Sequence, residues 1–233
     1  MRLPPLANGC ILRRYKRFLA DVKLDDGATV AAHCPNTGSM AGCWAPGAPA
    51  QVSHSDNPKR KLAWTLERVD MGRGWVGVHT GRPNAVVAEA IARERVPTLE
   101  GYRLIRREPA FNLAPYPPSR FDLLLSEGPG PDAFIEIKNT TLLDGDVVRF
   151  PDAVTVRGRK HLELLVEAVR LGYRGLIVFA VNRPEGRAFA PAWDVDPEYA
   201  ATLEWAAAQG VEVLAARLRH DDVGIELAGV AAL

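Results

Sequence analysis

At Gly81-Arg82-Pro83 the pattern of the chain changes, and that change constrains its architecture more than any other feature. Before it, short strand-like runs alternate with Gly, Pro and Asn. Arg14–Lys23 reads as one such run, followed by the turn Asp25-Asp26-Gly27 and then by Ala28–His33. Leu62–Val69 and Gly74–His79 form a second pair around Gly72. Strands of this length with frequent turns predict a small barrel or sandwich, and about five of them fit an OB-type barrel. After Pro83, helical and strand patterns alternate. Asn84 is the expected N-cap of a helix over Ala85–Arg95. Strands are expected over Tyr102–Arg107, Phe121–Ser126 and Ala133–Lys138, then a helix over Arg159–Leu171 stopped by Gly172. A buried strand over Gly175–Val181, a helix over Pro197–Ala208, a strand over Val211–Leu218 and an edge at Val223–Leu227 complete an αβββαβ order with an αβ extension. The expected division is 1–82 and 83–233, with no internal repeat.

Charge divides at the same place. Residues 1–82 carry 12 Lys/Arg against 6 Asp/Glu, and residues 83–233 carry 17 against 22. The near-neutral whole therefore conceals a basic first part, which suits an anionic partner such as a phosphate backbone or is simply a solvated basic face. With 47% hydrophobic and 24% charged residues the composition is that of a globular chain and excludes a disordered or fibrous one. No apolar run approaches the roughly 18 residues that span a bilayer, and no secretory signal pattern stands at the start. The expectation is a cytoplasmic protein with no membrane role. The three cysteines, Cys10, Cys34 and Cys43, suit a reducing compartment; with His33 they still lack a fourth zinc ligand.

The chemistry concentrates on the expected three-strand meander. Glu136 and Lys138 are two apart on one strand, so both emerge on one face about 7 Å apart, while Ile135 and Ile137 face the core. Asp122 lies on the preceding strand and approaches Glu136 across the pair. Two carboxylates facing one point make a hard-oxygen site for Mg²⁺ or Mn²⁺, with the Ile137 carbonyl as a further ligand and Lys138 beside a water or phosphate. The same spacing also fits an ion pair at the end of a sheet. Placed in this element order, Asp122, Glu136 and Lys138 resemble the active-site pattern of the PD-(D/E)XK nuclease superfamily. Glu89 matches the place where that superfamily often carries another acid, and Glu108 ends the first strand; both are lesser metal-ligand candidates, and Glu89 can equally pair with Arg93. Arg157, Arg159 and Lys160 begin a helix whose N–H groups favour anions. Lys160 and His161 can equally just solvate that helix start. On the first part, Arg13, Arg14, Lys16, Arg17, Lys59, Arg60 and Lys61 are the candidate DNA contacts. The polar loop His33–Met40 offers backbone donors, and Trp44, Trp64 and Trp75 offer rings, for which core packing competes with base stacking.

Segments RYKRFLADV (14–22), AHCPNTGSM (32–40), NPKRKL (57–62), SRFD (119–122), EIKN (136–139), FPDAVT (150–155) and RGRKHL (157–162) together resemble the sugar fermentation stimulation protein A family. The resemblance implies an N-terminal OB-like barrel followed by a restriction-endonuclease-like α/β domain. It also implies DNA binding and a role in regulating sugar (maltose) utilisation. Asp122, Glu136 and Lys138 keep the active-site pattern unsubstituted, so an active Mg²⁺- or Mn²⁺-dependent DNA nuclease is the alternative. A regulator that only grips DNA, and a small-molecule binder using the His33–Met40 loop, are the rivals. Turnover and oligomeric state, a homodimer included, stay open.

Overall fold

The computed structural model describes residues 1–233. Its first part contains β1 (Leu6–Tyr15), β2 (Leu19–Leu24), β3 (Thr29–His33), β4 (Pro49–His54), β5 (Trp64–Asp70) and β6 (Trp75–Gly77). They line up as β3-β2-β1-β4-β5-β6, and β3 also pairs in parallel with β5, closing the first five into a barrel. Alternate residues of β2 turn into the barrel, while β5 is buried throughout Thr65–Val69. Ile11, Val22, Val52, Leu66, Val69 and Val76 are all fully buried there. Closure removes the edges a flat sheet would leave.

The run 14–23 is therefore a hairpin rather than one strand, because Lys16 and Arg17 turn the chain at positive φ of 48° and 66°. β4 was not expected from the sequence. Trp44 and Trp64 pack against the barrel core, and Trp75 lies against the Arg68 guanidinium 4.8 Å from its centroid, so the rings serve packing.

The second part opens with α1 (Arg82–Ala92), β7 (Leu104–Arg107), the short pair β8 (Ala110–Phe111) and β9 (Ser119–Arg120), β10 (Leu123–Ser126) and β11 (Ala133–Thr140). It continues with β12 (Leu142–Asp144), β13 (Val147–Phe150), α2 (Val156–Arg170), β14 (Arg174–Val181), β15 (Ala188–Pro191), α3 (Pro197–Ala208), β16 (Glu212–His220) and β17 (Ile225–Val230). The central sheet is ordered β17-β16-β14-β11-β10-β7, with β11, β14 and β16 mutually parallel. One face packs on α1 through Ile135, Ile137, Leu123 and Val178; the other packs on α2 and α3 through Phe134, Phe179, Leu162 and Leu165. A sheet covered on both faces explains why β14 is almost continuously apolar.

Three local expectations need correction. Helix α1 starts at Arg82 after Gly81, with no side-chain cap, so Asn84 sits inside the first turn and its amide is free for another partner. Helix α2 starts earlier, at Val156, because Thr155 accepts the Gly158 N–H at 3.0 Å. The small sheet β12-β13-β15 was unforeseen.

The two parts share a polar junction. Arg68, wholly buried, donates to the carbonyls of Asp221 (2.6 Å) and Asp222 (3.5 Å), and Asp152 accepts from the Met40 N–H at 3.2 Å. The first residues also bind across it: the N-terminal amine donates to the Ile225 carbonyl, and Leu3 joins the α1-side core. No helix is long and apolar enough to cross a membrane.

Candidate metal and phosphate site

Asp122 is held by two adjacent strands before its side chain does anything. Its N–H donates to the Ile135 carbonyl and its carbonyl accepts from the Glu108 N–H, both at 3.0 Å. That pairing sets it beside Glu136 at the end of the β10–β11 ladder, one residue before the Leu123–Ile135 pair. Behind it, Phe121 packs with Phe111 and Phe134, ring centroids 5.3 Å away in each case, which fixes the backbone that carries Asp122. Its Oδ2 accepts the Ile137 N–H at 2.7 Å, and its Oδ1 accepts from the Asn84 amide at 2.6 Å.

Glu136 is buried at 4% exposure, a position a carboxylate tolerates only with hydrogen-bonding partners. It has two. Lys138 Nζ lies 2.5 Å from Oε1, and the buried ring of His161 contacts the same oxygen through Nδ1. An ionised carboxylate only accepts, so that nitrogen carries the proton. Both partners choose Oε1, leaving Oε2 with no protein donor.

The two carboxyl groups respond in opposite directions. Burial, and then the nearby Glu136 charge, push Asp122 up from 3.8 to about 6 against the pull of the Ile137 N–H, Lys138 and Asn84. Burial also opposes ionisation of Glu136, but Lys138 and His161 outweigh it and hold that group below the usual carboxylate range. The result is one settled anion and one frustrated one, side by side. A hard dication relieves such a pair, and the donor set fits it: Glu136 Oε2, the remaining lone pairs of Asp122 and the Ile137 carbonyl are all oxygens.

Two openings reach this cluster. A cleft of about 510 Å³ has His161 in its wall, with Arg120, Arg157 and Lys160 around it. A smaller cavity of about 220 Å³ lies at the junction of the two parts, where Asn36 and Thr80 of the first face Lys138 and Arg149 of the second. Phosphate oxygens entering either opening would meet cations.

The other expected site residues are placed elsewhere. Glu89 pairs with the N-terminal amine (3.2 Å) and with Arg93 (3.0 Å), on the side of α1 toward β17. Glu108 touches Asp122 through backbone only, and its exposed side chain faces Arg120 at 3.7 Å. Arg159 is turned onto Glu198 and Asp196, away from the cleft that Arg157 and Lys160 line. Arg13 pairs with Asp21 at 2.6 Å. Arg14 donates to the carbonyls of Arg17, Asn36 and Gly38, so it builds the 36–40 loop instead of facing solvent. Lys16, Arg17, Lys59 and Lys61 are exposed, while Arg60 is half-buried against Thr65. Sequence reasoning missed Asn84, assigned to a cap, and left His161 between a phosphate contact and a solvated helix start. Helical spacing held the signal for His161, because Leu162 and Leu165 fix the inward face of α2 next to it.

Residues 12–78 match the family model described as the SfsA N-terminal OB domain, and residues 81–224 match the one described as the sugar fermentation stimulation protein RE domain. A sugar fermentation stimulation protein homolog of Magnetococcus marinus is 51% identical over 210 residues, covering 90% of this chain and 88% of its own length. One from Geobacter sulfurreducens is 52% identical over 218 residues, 93% of this chain and 91% of its own. Among solved structures, Pyrococcus furiosus SfsA in complex with Ca²⁺ superposes with a TM-score of 0.87 at 30% identity, covering all of this chain and 97% of that one.

Proposed function

The chain belongs to the sugar fermentation stimulation protein family, and from that premise we propose that it is a DNA-binding protein whose α/β domain holds Mg²⁺ or Mn²⁺ for phosphodiester hydrolysis. The observation that carries the reading is the frustrated Asp122 beside a Glu136 whose Oε2 has no protein donor and whose partner His161 lines a cation-rich cleft. The Pyrococcus relative, solved in complex with Ca²⁺, supports a hard divalent cation as the ligand class.

Asp122 and Glu136 would hold the cation, with the Ile137 carbonyl alongside. Bound there, the cation supplies charge neutralisation for the phosphate and a more acidic water. The remaining work falls to the chain. Asn84 and the Ile137 N–H fix the Asp122 carboxylate, and His161 fixes that of Glu136. Lys138, at 15% side-chain exposure, is the cation placed to meet a non-bridging phosphate oxygen. Arg120, Arg157 and Lys160 carry the backbone through the cleft, and Lys16, Arg17, Lys59 and Lys61 extend the cationic track on the barrel.

A second reading has its own observation. Lys138 and His161 already close on Glu136 Oε1, and both Asp122 oxygens accept a hydrogen bond, so each acid has partners within the chain. In that version the same surface grips DNA as a regulator of sugar (maltose) utilisation. Cleavage of single- and double-stranded DNA with Mg²⁺ or Mn²⁺ separates the two, comparing wild type with Glu136→Ala and Lys138→Ala. Metal-dependent cutting lost in both variants, with binding kept, establishes hydrolysis on these residues. Salt-sensitive binding without cutting assigns the regulator. Binding that ignores salt removes both.

A further inference from the structure

Of the seven phenylalanines, six are buried or half-buried and one is exposed: Phe18, at 48%. It ends the three-residue connection Lys16-Arg17-Phe18 between the paired residues Tyr15 and Leu19. Lys16 and Arg17 both adopt positive φ, a conformation that glycine and asparagine take without strain. Turn chemistry alone would select those small residues. Two long cations stand there instead, next to a bare aromatic ring.

The ring faces an open groove of about 430 Å³ walled by Phe18, Leu19 and Leu62, with His33, Arg60 and Lys61 around it and no carboxylate among its lining. Lys16, Arg17 and Lys59 are exposed on the neighbouring turns. Two connections of the barrel, β1–β2 and β4–β5, thus meet at one place, the pair of loops that five-stranded barrels of this type use for oligonucleotides. Arg17 then leads inward: its Nε donates to the Thr37 carbonyl at 3.2 Å, and the next residue back, Asn36, lines the junction cavity with Lys138. One short loop therefore joins the aromatic groove to the candidate catalytic lysine.

We infer that this groove is a stacking site for an unpaired base, and that the protein prefers single-stranded nucleic acid running from Phe18 over the 36–40 loop to Lys138. This rests on the nucleic-acid reading above and specifies its substrate class. A flat apolar ring edged by cations without acids suits a strand that exposes both bases and phosphates. A duplex hides its bases in the stack and offers Phe18 nothing, so its binding depends on the cations alone.

The test measures binding of full-length protein to labelled oligothymidylate and to a blunt hairpin duplex, in chelator to prevent cleavage, for wild type, Phe18→Ala and Phe18→Trp. Phe18→Ala is expected to lose roughly 5- to 150-fold in affinity for oligothymidylate, the span of one aromatic stacking contact, with duplex affinity unchanged. Phe18→Trp is expected to bind oligothymidylate at least as tightly as wild type. Both variants should melt with wild type, because the ring is outside the core. Equal single-strand affinity in Phe18→Ala, or an equal loss on both DNAs, overturns the stacking site while leaving DNA binding intact. Wild type that binds neither DNA with salt sensitivity overturns the nucleic-acid reading as well.

Discussion

Replacing Asp122 with asparagine is expected to stabilise the metal-free protein at neutral pH and to abolish its stabilisation by divalent cations. Burial and Glu136 raise the Asp122 carboxyl from 3.8 to about 6 in the folded state. For an acid, a raised folded value means that the fold holds the proton more tightly than the unfolded chain does. Stability therefore falls as pH rises through the window from 3.8 to about 6, and the penalty is complete at neutral pH. A displacement of about two units corresponds to about 3 kcal/mol, which residual solvent access trims to about 2 kcal/mol. Asparagine keeps an acceptor for the Ile137 N–H and carries no charge; the Asn84 amide need only turn its oxygen toward the new NH₂ group. Urea denaturation in chelator should then show Asp122→Asn above wild type by about 2 kcal/mol at neutral pH and level with it near pH 4. Adding Mn²⁺ reverses the ranking, because only wild type gains about 2.7 kcal/mol at a hundredfold excess over its dissociation constant. A variant less stable than wild type in chelator at neutral pH would refute the electrostatic frustration from which the cation site is argued.

Removing the amide that orients Asp122, in Asn84→Ala, should weaken Mn²⁺ binding by roughly 10- to 100-fold in titration calorimetry with little change in melting temperature. Arg82→Ala should cost about 3–5 kcal/mol in urea denaturation at neutral pH, since Glu67, at 2% exposure, loses its bidentate partner in the interior. Arg14→Lys should lower stability by about 2 kcal/mol, because one ammonium cannot replace a guanidinium that reaches the carbonyls of Arg17, Asn36 and Gly38. The same variant should speed amide exchange across residues 36–40.

The division at Gly81–Pro83 was legible because each side imposes its own hydrophobic period: alternation with turns in the barrel, 3.6-residue spacing and a continuous apolar run in the α/β part. The αβββαβ order follows from that alone. The hairpin at Lys16-Arg17 was hidden because its residues carry none of the usual signs of a turn. Strand β4 was hidden for a related reason. Its sequence, PAQVSH, has an unremarkable period, and its identity as a strand comes from pairing with β1 on one side and β5 on the other. The pairs β8–β9 and β13–β15 are likewise tertiary, made of stretches two to four residues long that no local propensity selects.

The candidate site divides in the same way, between what a strand dictates and what packing supplies. That Glu136 and Lys138 share a face is pure period-two geometry, and the register of β10 on β11 then brings in Asp122. Those three residues alone would leave a buried glutamate with one counter-charge. The fold adds His161 from α2 and Asn84 from α1, elements that close on the sheet from opposite faces. An asparagine two residues into a helix reads as a cap, and a histidine after two cations reads as part of a basic helix start. Their actual partners lie 38 and 25 residues away. The same closure sends Glu89 to the N-terminal amine and Arg159 to Glu198, so it decides which charges converge and which are spent on holding the scaffold. A site read from its strand residues is thus a pair of acids in search of a charge balance. The helices determine how much of that balance the protein supplies, and the unpartnered Glu136 Oε2 together with the raised Asp122 marks the part left for a cation.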